Sequence, residues 1–143
     1  MTIPVTQRGN PSRRLGRSVG AVLLAFLAVA VLSLVTDQLF HVLDVYPPWG
    51  QPMWDASDNV LAFTYRSVYA VVGGYLAARL APHAPMRHVL ALGILGTLGA
   101  LVGAIATVPM EMGPDWYPIS LVVTSFPLVW LGGVLQSRNR SQA

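Results

Sequence analysis

A four-helix transmembrane bundle is the fold this sequence predicts, and three observations predict it. Of the 143 residues, 54% are hydrophobic and only 10% are charged, and the mean hydropathy is +0.55. Soluble chains carry about 25% charged residues, so most of this chain must lie where water is absent. Four apolar stretches, 19–43, 60–80, 89–108 and 119–136, are each long enough to cross a bilayer, which takes about 20 residues per helix. The arginines and the acids, finally, fall on alternate connections between these stretches. The remaining segments are too short for a second domain. The expected organisation is a basic tail over 1–18, a single transmembrane domain over 19–136, and a short tail over 137–143.

The first span follows Arg8, Arg13, Arg14 and Arg17 and so has the charge pattern of a secretory signal. Its apolar run from Ser18 to Val35 is longer than a signal core, no small-x-small site closes it, and three further spans follow. It is therefore read as a retained span. Ser12-Arg13-Arg14-Leu15 lacks the bulky apolar residue that a twin-arginine signal would place at Gly16.

Short loops rich in Arg or Lys remain cytoplasmic. The N-terminal tail, the second connection with the end of span two, and the C-terminal tail hold Arg8, Arg13, Arg14, Arg17, Arg79, Arg87, Arg138 and Arg140 without an acid. The first and third connections hold Asp44, Asp55, Asp58, Glu111 and Asp115 without an arginine. Both termini are thus expected inside. Tyr46, Trp49, Trp54, Trp116 and Tyr117 in the outer connections suit an interfacial aromatic belt. Nine arginines against no lysine, with abundant Ala and Gly, suggest a GC-rich coding sequence and hence a bacterial inner membrane.

Small residues mark where helices approach in lipid, because lipid gives apolar side chains no reason to leave it. Span two carries Ala62, Arg66, Ala70, Gly74 and Ala78 at four-residue spacing, which turns Arg66 into the bundle. Span three carries Gly96, Ala100 and Ala104, with Gly99 and Gly103 beside them, and is expected to be the richest packing face. In span four, Pro127 removes the hydrogen bond to the Val123 carbonyl and should bend the helix, with Thr124 or Ser125 serving nearby backbone groups. The segment Tyr46-Pro47-Pro48-Trp49-Gly50-Gln51-Pro52 reads as a stiff, extended cap, and Ser57-Asp58-Asn59 as the capping oxygens of span two.

Inside the spans lie one acid and one arginine, Asp37 and Arg66. Each sits about 10 Å along its helix from the outer end, and a lone charge at such depth costs on the order of 3 kcal/mol. An Asp37–Arg66 ion pair is expected. Asp37, His41 and Asp44 follow an i, i+4, i+7 spacing that places them on one helical face. That triplet could handle a proton or cation, or offer ligands to a divalent metal with Asp55, Asp58, Glu111 or Asp115, but His-Glu-x-x-His is absent. Tyr65 and Tyr69 face the same region, and Asp44, Thr107, Glu111 and Trp116 would rim an outward-opening polar pocket with Arg66 and Asp37 at its ends. Tyr75 is read as a packing residue, and His83 and His88 as exposed residues of the second connection.

No cysteine, phosphate loop, Ser-x-x-Lys pair or kinase motif set occurs, and no cofactor is expected. The arginines flank membrane segments, so the expected partners are the bilayer and its anionic headgroups on the cytoplasmic side, not nucleic acid. A homo-oligomer or a larger membrane partner would complete so small a bundle. Length and span count are similar to those of the small multidrug resistance transporters. That family, however, embeds a glutamate in its first span and has a weak charge bias; here Asp37 stands near the outer end and the bias is strong. The leading expectation is a non-enzymatic structural, assembly or regulatory component. The alternatives are a small oligomeric transporter or channel for a proton, cation or small solute, and a membrane-embedded metal protein or enzyme.

Overall fold

The computed structural model describes residues 11–142, with side chains from residue 15 onward. Arg8 and the rest of 1–10 lie outside the described residues, as do the side chains of Arg13 and Arg14. Four helices form, α1 (Pro11–Val42), α2 (Ala56–Leu80), α3 (Pro85–Thr107) and α4 (Trp116–Ser141), with a 3-10 turn at Val108–Met110 between the last two. All four are long and apolar enough to span a membrane. The end that carries the first and third connections is called here the acidic end, the other the arginine end.

Each helix outruns its apolar stretch. Nothing between Pro11 and Val19 breaks a helix, and a proline at its first position is already in helical geometry, so α1 includes part of the expected basic tail. The α2 helix starts at Ala56, four residues early, because Asp55 caps it: its Oδ1 accepts from the Ser57 N–H at 2.8 Å and the Ser57 hydroxyl at 2.7 Å. These two bonds hold the Asp55 carboxyl below its ordinary pKa. Asn59 does not cap; it is 1% exposed, and its Nδ2 donates to the carbonyls of Met53 (2.9 Å) and Asp55 (2.7 Å). The α4 helix continues through Pro127, and Thr124 donates to the Ser120 carbonyl at 2.7 Å, one turn before the Val123 carbonyl.

At its acidic end α1 stops in a Schellman arrangement. The Val45 N–H reaches the Phe40 carbonyl at 2.9 Å and the Asp44 N–H the His41 carbonyl at 3.3 Å, with Asp44 left-handed at φ 54°. The proline-rich segment is not uniformly extended. It turns at Pro48–Gln51, closed by a 3.0 Å bond, with Gly50 supplying φ 83°. A 2.7 Å bond from the Met53 N–H to the Met112 carbonyl joins the two acidic-end connections. A side chain on Gly113 would crowd the Met53 carbonyl in that junction.

The tightest packing lies toward the arginine end. Ala25, Ala77, Ala78, Val89, Leu92 and Val129 form the buried cluster. There α2 and α4 touch backbone to backbone: a Cβ on Gly74 would overlap the Val129 carbonyl, and one on Gly132 the Val71 carbonyl. Gly93 admits the Phe126 ring and Gly133 the Val89 side chain. Helix α1 packs on α2 and less on α3, and no extended contact joins it to α4. His88, expected in an exposed connection, is buried within α3, while His83 is exposed. The outer surface is apolar; Leu24 is 61% and Val123 67% exposed, as suits side chains that face lipid.

Candidate functional site

Helix α1 presents Asp37 and α2 presents Tyr65 and Arg66 to one another, one helical turn and more below the acidic end. Arg66 Nη2 donates to Asp37 Oδ2 at 2.5 Å, and the Tyr65 hydroxyl donates to Asp37 Oδ1. This is the one salt bridge among the described residues. Asp37 is 7% exposed with both oxygens engaged, whereas the Arg66 side chain keeps 33% of its surface exposed. Arg66 Nε is enclosed without a hydrogen-bond partner among the described residues.

Aromatic rings flank the pair, Phe40 and Tyr46 on the acidic-end side and Tyr69 one turn toward the arginine end. Tyr65 lies 5.8 Å from both Phe40 and Tyr69, and Phe40 lies 5.2 Å from Tyr46. Tyr46 is buried, which pushes its phenol above the usual range, and its hydroxyl has no partner among the described residues. Tyr69 and Thr36 share a 2.8 Å bond. Thr36 directs its single proton to the Leu32 carbonyl, so Tyr69 is the donor. Two side-chain hydrogen bonds and an ion pair therefore tie α1 to α2.

His41 is not part of this cluster. Its Nδ1 donates to the Pro47 carbonyl at 2.6 Å and its ring lies 4.0 Å from that of Trp49, whose Nε1 donates to Gln38 Oε1 at 3.1 Å. The histidine fastens the proline-rich connection to α1. Asp44 lies beyond the helix end in left-handed conformation, so the expected face of Asp37, His41 and Asp44 is broken at its third member. Among the described residues no three His, Asp or Glu side chains gather into a metal-sized group. Asp37, His41 and Asp44 do not converge as ligands.

Beside the ion pair, in the gap between α1 and α4, lies a cavity of about 630 Å³. Of the residues expected to form a polar pocket, Asp37, Arg66 and Thr107 line it; His41, Tyr65, Tyr69, Asp44, Glu111 and Trp116 do not. The reason is the local backbone. Asp44 and Glu111 occupy left-handed turns beyond their helices, and Trp116 is partly exposed 6.1 Å from Tyr117. Tyr117 takes the place expected for Trp116 at the cavity. It opens a face of α4 that continues through Leu121, Thr124, Ser125 and Leu128, an i, i+4, i+7, i+8, i+11 series legible in the sequence but obscured by reading Tyr117 as a belt residue.

The cavity wall is mostly apolar. Its third side is α3, where Gly96, Gly99, Ala100, Gly103 and Ala104 face the space. A Cβ at Gly99 or Gly103 would meet nothing within 4 Å, and one at Gly96 would meet only Ser125 Oγ. This face of α3 meets α4 at Gly96, while at Gly99 and Gly103 it leaves room. No known protein-family model matches the chain, and no curated protein or solved structure matches it.

Proposed function

We propose that this chain is a non-enzymatic multi-pass membrane component with a structural, assembly or regulatory role, in which the Asp37–Arg66 pair latches α1 onto the unit of α2, α3 and α4. The observation that carries this reading is where the charges are placed. The described ion pair joins α2 to the helix with the least packing, at the level where α1 and α4 stand apart. Unpaired, either charge would cost on the order of 3 kcal/mol.

The charge partition supports an orientation with both termini inside and the acidic end outside, and nine arginines without a lysine, with abundant Ala and Gly, support a bacterial inner membrane. Arg17, Arg79, Arg87, Arg138 and Arg140 then lie at the cytoplasmic headgroups, where anionic lipids are the natural partner. The transport alternative has less support. His41 is turned to the proline-rich connection, and beyond Asp37, Arg66 and Tyr117 no titratable side chain lines the cavity.

The test is charge exchange. Asp37→Arg alone and Arg66→Asp alone should each lower the detergent melting temperature sharply, and the two together should recover most of the loss. A double variant no more stable than the singles overturns the latch. Orientation is read separately, since the chain has no cysteine: in intact cells an impermeant maleimide should label Asp44→Cys and leave Arg87→Cys unlabelled.

A further inference from the structure

We propose that the cavity between α1 and α4 is a binding site for a single-chain amphiphile, with an apolar tail along the wall and an oxyanion head, of the carboxylate class, at Arg66 and Tyr117. Its volume of about 630 Å³ lies within the roughly 300–1,000 Å³ of small-molecule sites, which are also mainly apolar with a few convergent polar groups. The space is elongated. On α1 its lining runs from Phe26 to Asp37, about 16 Å at 1.5 Å per residue. From Phe26, Leu92 and Val129 up to Leu34 and Leu121 the wall is mainly hydrocarbon, interrupted by Ser33, Thr124 and Ser125, with no titratable group.

The polar end offers donors. Asp37 already accepts from Tyr65 and Arg66, so its oxygens are engaged. Arg66 has five N–H groups and uses Nη2 on Asp37, keeps a third of its side chain exposed, and lines the cavity. Tyr117 also lines it, and its hydroxyl has no hydrogen-bond partner among the described residues. The Thr107, Thr124 and Ser67 hydroxyls each donate back to a carbonyl of their own helix. A head that accepts hydrogen bonds therefore fits, and a cationic head does not.

The glycines of α3 make the space. A Cβ at Gly99 or Gly103 would enter open space at the cavity wall, so leucines there should narrow the cavity. The experiment uses the full chain in phosphatidylcholine vesicles with two probes, palmitic acid bearing a mid-chain diazirine and the same chain ending in trimethylammonium. After irradiation, adducts are mapped by peptide mass spectrometry. The carboxylate probe should label 96–107 of α3 and 121–129 of α4 several-fold more than the ammonium probe. Gly99→Leu with Gly103→Leu should abolish most of that labelling while labelling at Leu24 and Leu27, on the outer face, stays the same.

Equal labelling by the two probes, adducts no denser on the cavity wall than at Leu24 and Leu27, or a filled variant that labels like the native chain overturns the site. The proposal shares Arg66 with the latch, yet the two fail separately. Charge exchange is read as melting temperature and tests the latch, whereas these probes act on a chain with its ion pair unaltered.

Discussion

The two halves of the bundle use the same small residues to opposite ends. Toward the arginine end, Gly74 of α2 and Gly132 of α4 each lie against a carbonyl of the other helix, and the backbones touch. Toward the acidic end, Gly99 and Gly103 of α3 face open space beside an ion pair. A glycine four residues from another glycine thus does not specify contact. It specifies that backbone can be approached, and whether a helix, a ligand or lipid approaches depends on what the facing helix carries. Opposite Gly74 stands α4, held by its own glycine; opposite Gly99 stands the gap left by α1.

The largest effect expected from this comparison separates those glycines. Gly74→Leu or Gly132→Leu forces two backbones apart and should cost at least the roughly 1–3 kcal/mol of overpacking, with loss of the folded bundle a natural outcome. Gly99→Leu or Gly103→Leu should change the melting temperature little, in keeping with the roughly 0.5 kcal/mol span of substitutions that touch nothing. Thermal unfolding in detergent decides it. Equal losses at both pairs would mean that α3 is packed as tightly as α2 and α4, and the distinction between the halves would fall.

A smaller effect grades the contacts that hold α1. Tyr65→Phe removes a donor to a buried carboxylate and should cost about 1.5–3 kcal/mol, the range for hydrogen bonds to charged groups. Tyr69→Phe removes a neutral bond to Thr36 and should cost about 0.6 kcal/mol, the membrane average. If Tyr69→Phe proves the more damaging, the neutral bond and not the ion-pair cluster is the principal tie between α1 and α2.

The four spans and the Asp37–Arg66 pair were legible because each rests on a one-dimensional signal: apolar length, and two charges at matched depth. Tyr65 beside that pair was legible for the same reason, one residue from Arg66 on the same helix. The cavity was not. It exists because α1 leans on α2 and leaves α4, a choice among helix pairings that spacing within single helices does not encode. The glycines of α3 read as a packing face because periodicity reports which residues share a side, never what stands opposite. The rim fails for local reasons: Asp44 and Glu111 lie past the points where left-handed residues end their helices, and Trp116, the first residue of α4, is exposed while Tyr117 beside it lines the cavity. Asn59 and His88 were misplaced at helix starts, where a polar residue can cap, point outward or fold inward at equal sequence distance.

The smallest effect compares the turns at the two ends. Ala84, at the arginine end before α3, is left-handed at φ 42°, and Asp44, at the acidic end after α1, at φ 54°. For an ordinary side chain that conformation costs about 1–2 kcal/mol. Glycine removes the cost but loses about 0.4–1 kcal/mol through the freer unfolded chain. Ala84→Gly should therefore gain about 0.5–1 kcal/mol. Aspartate enters the left-handed region more readily than alanine, because its short polar side chain can bond locally, so at Asp44 the two contributions should nearly cancel. Ala84→Gly should raise the melting temperature and Asp44→Gly should leave it unchanged. A larger rise at Asp44 would place the greater backbone strain at the acidic end, next to the ion pair and the cavity.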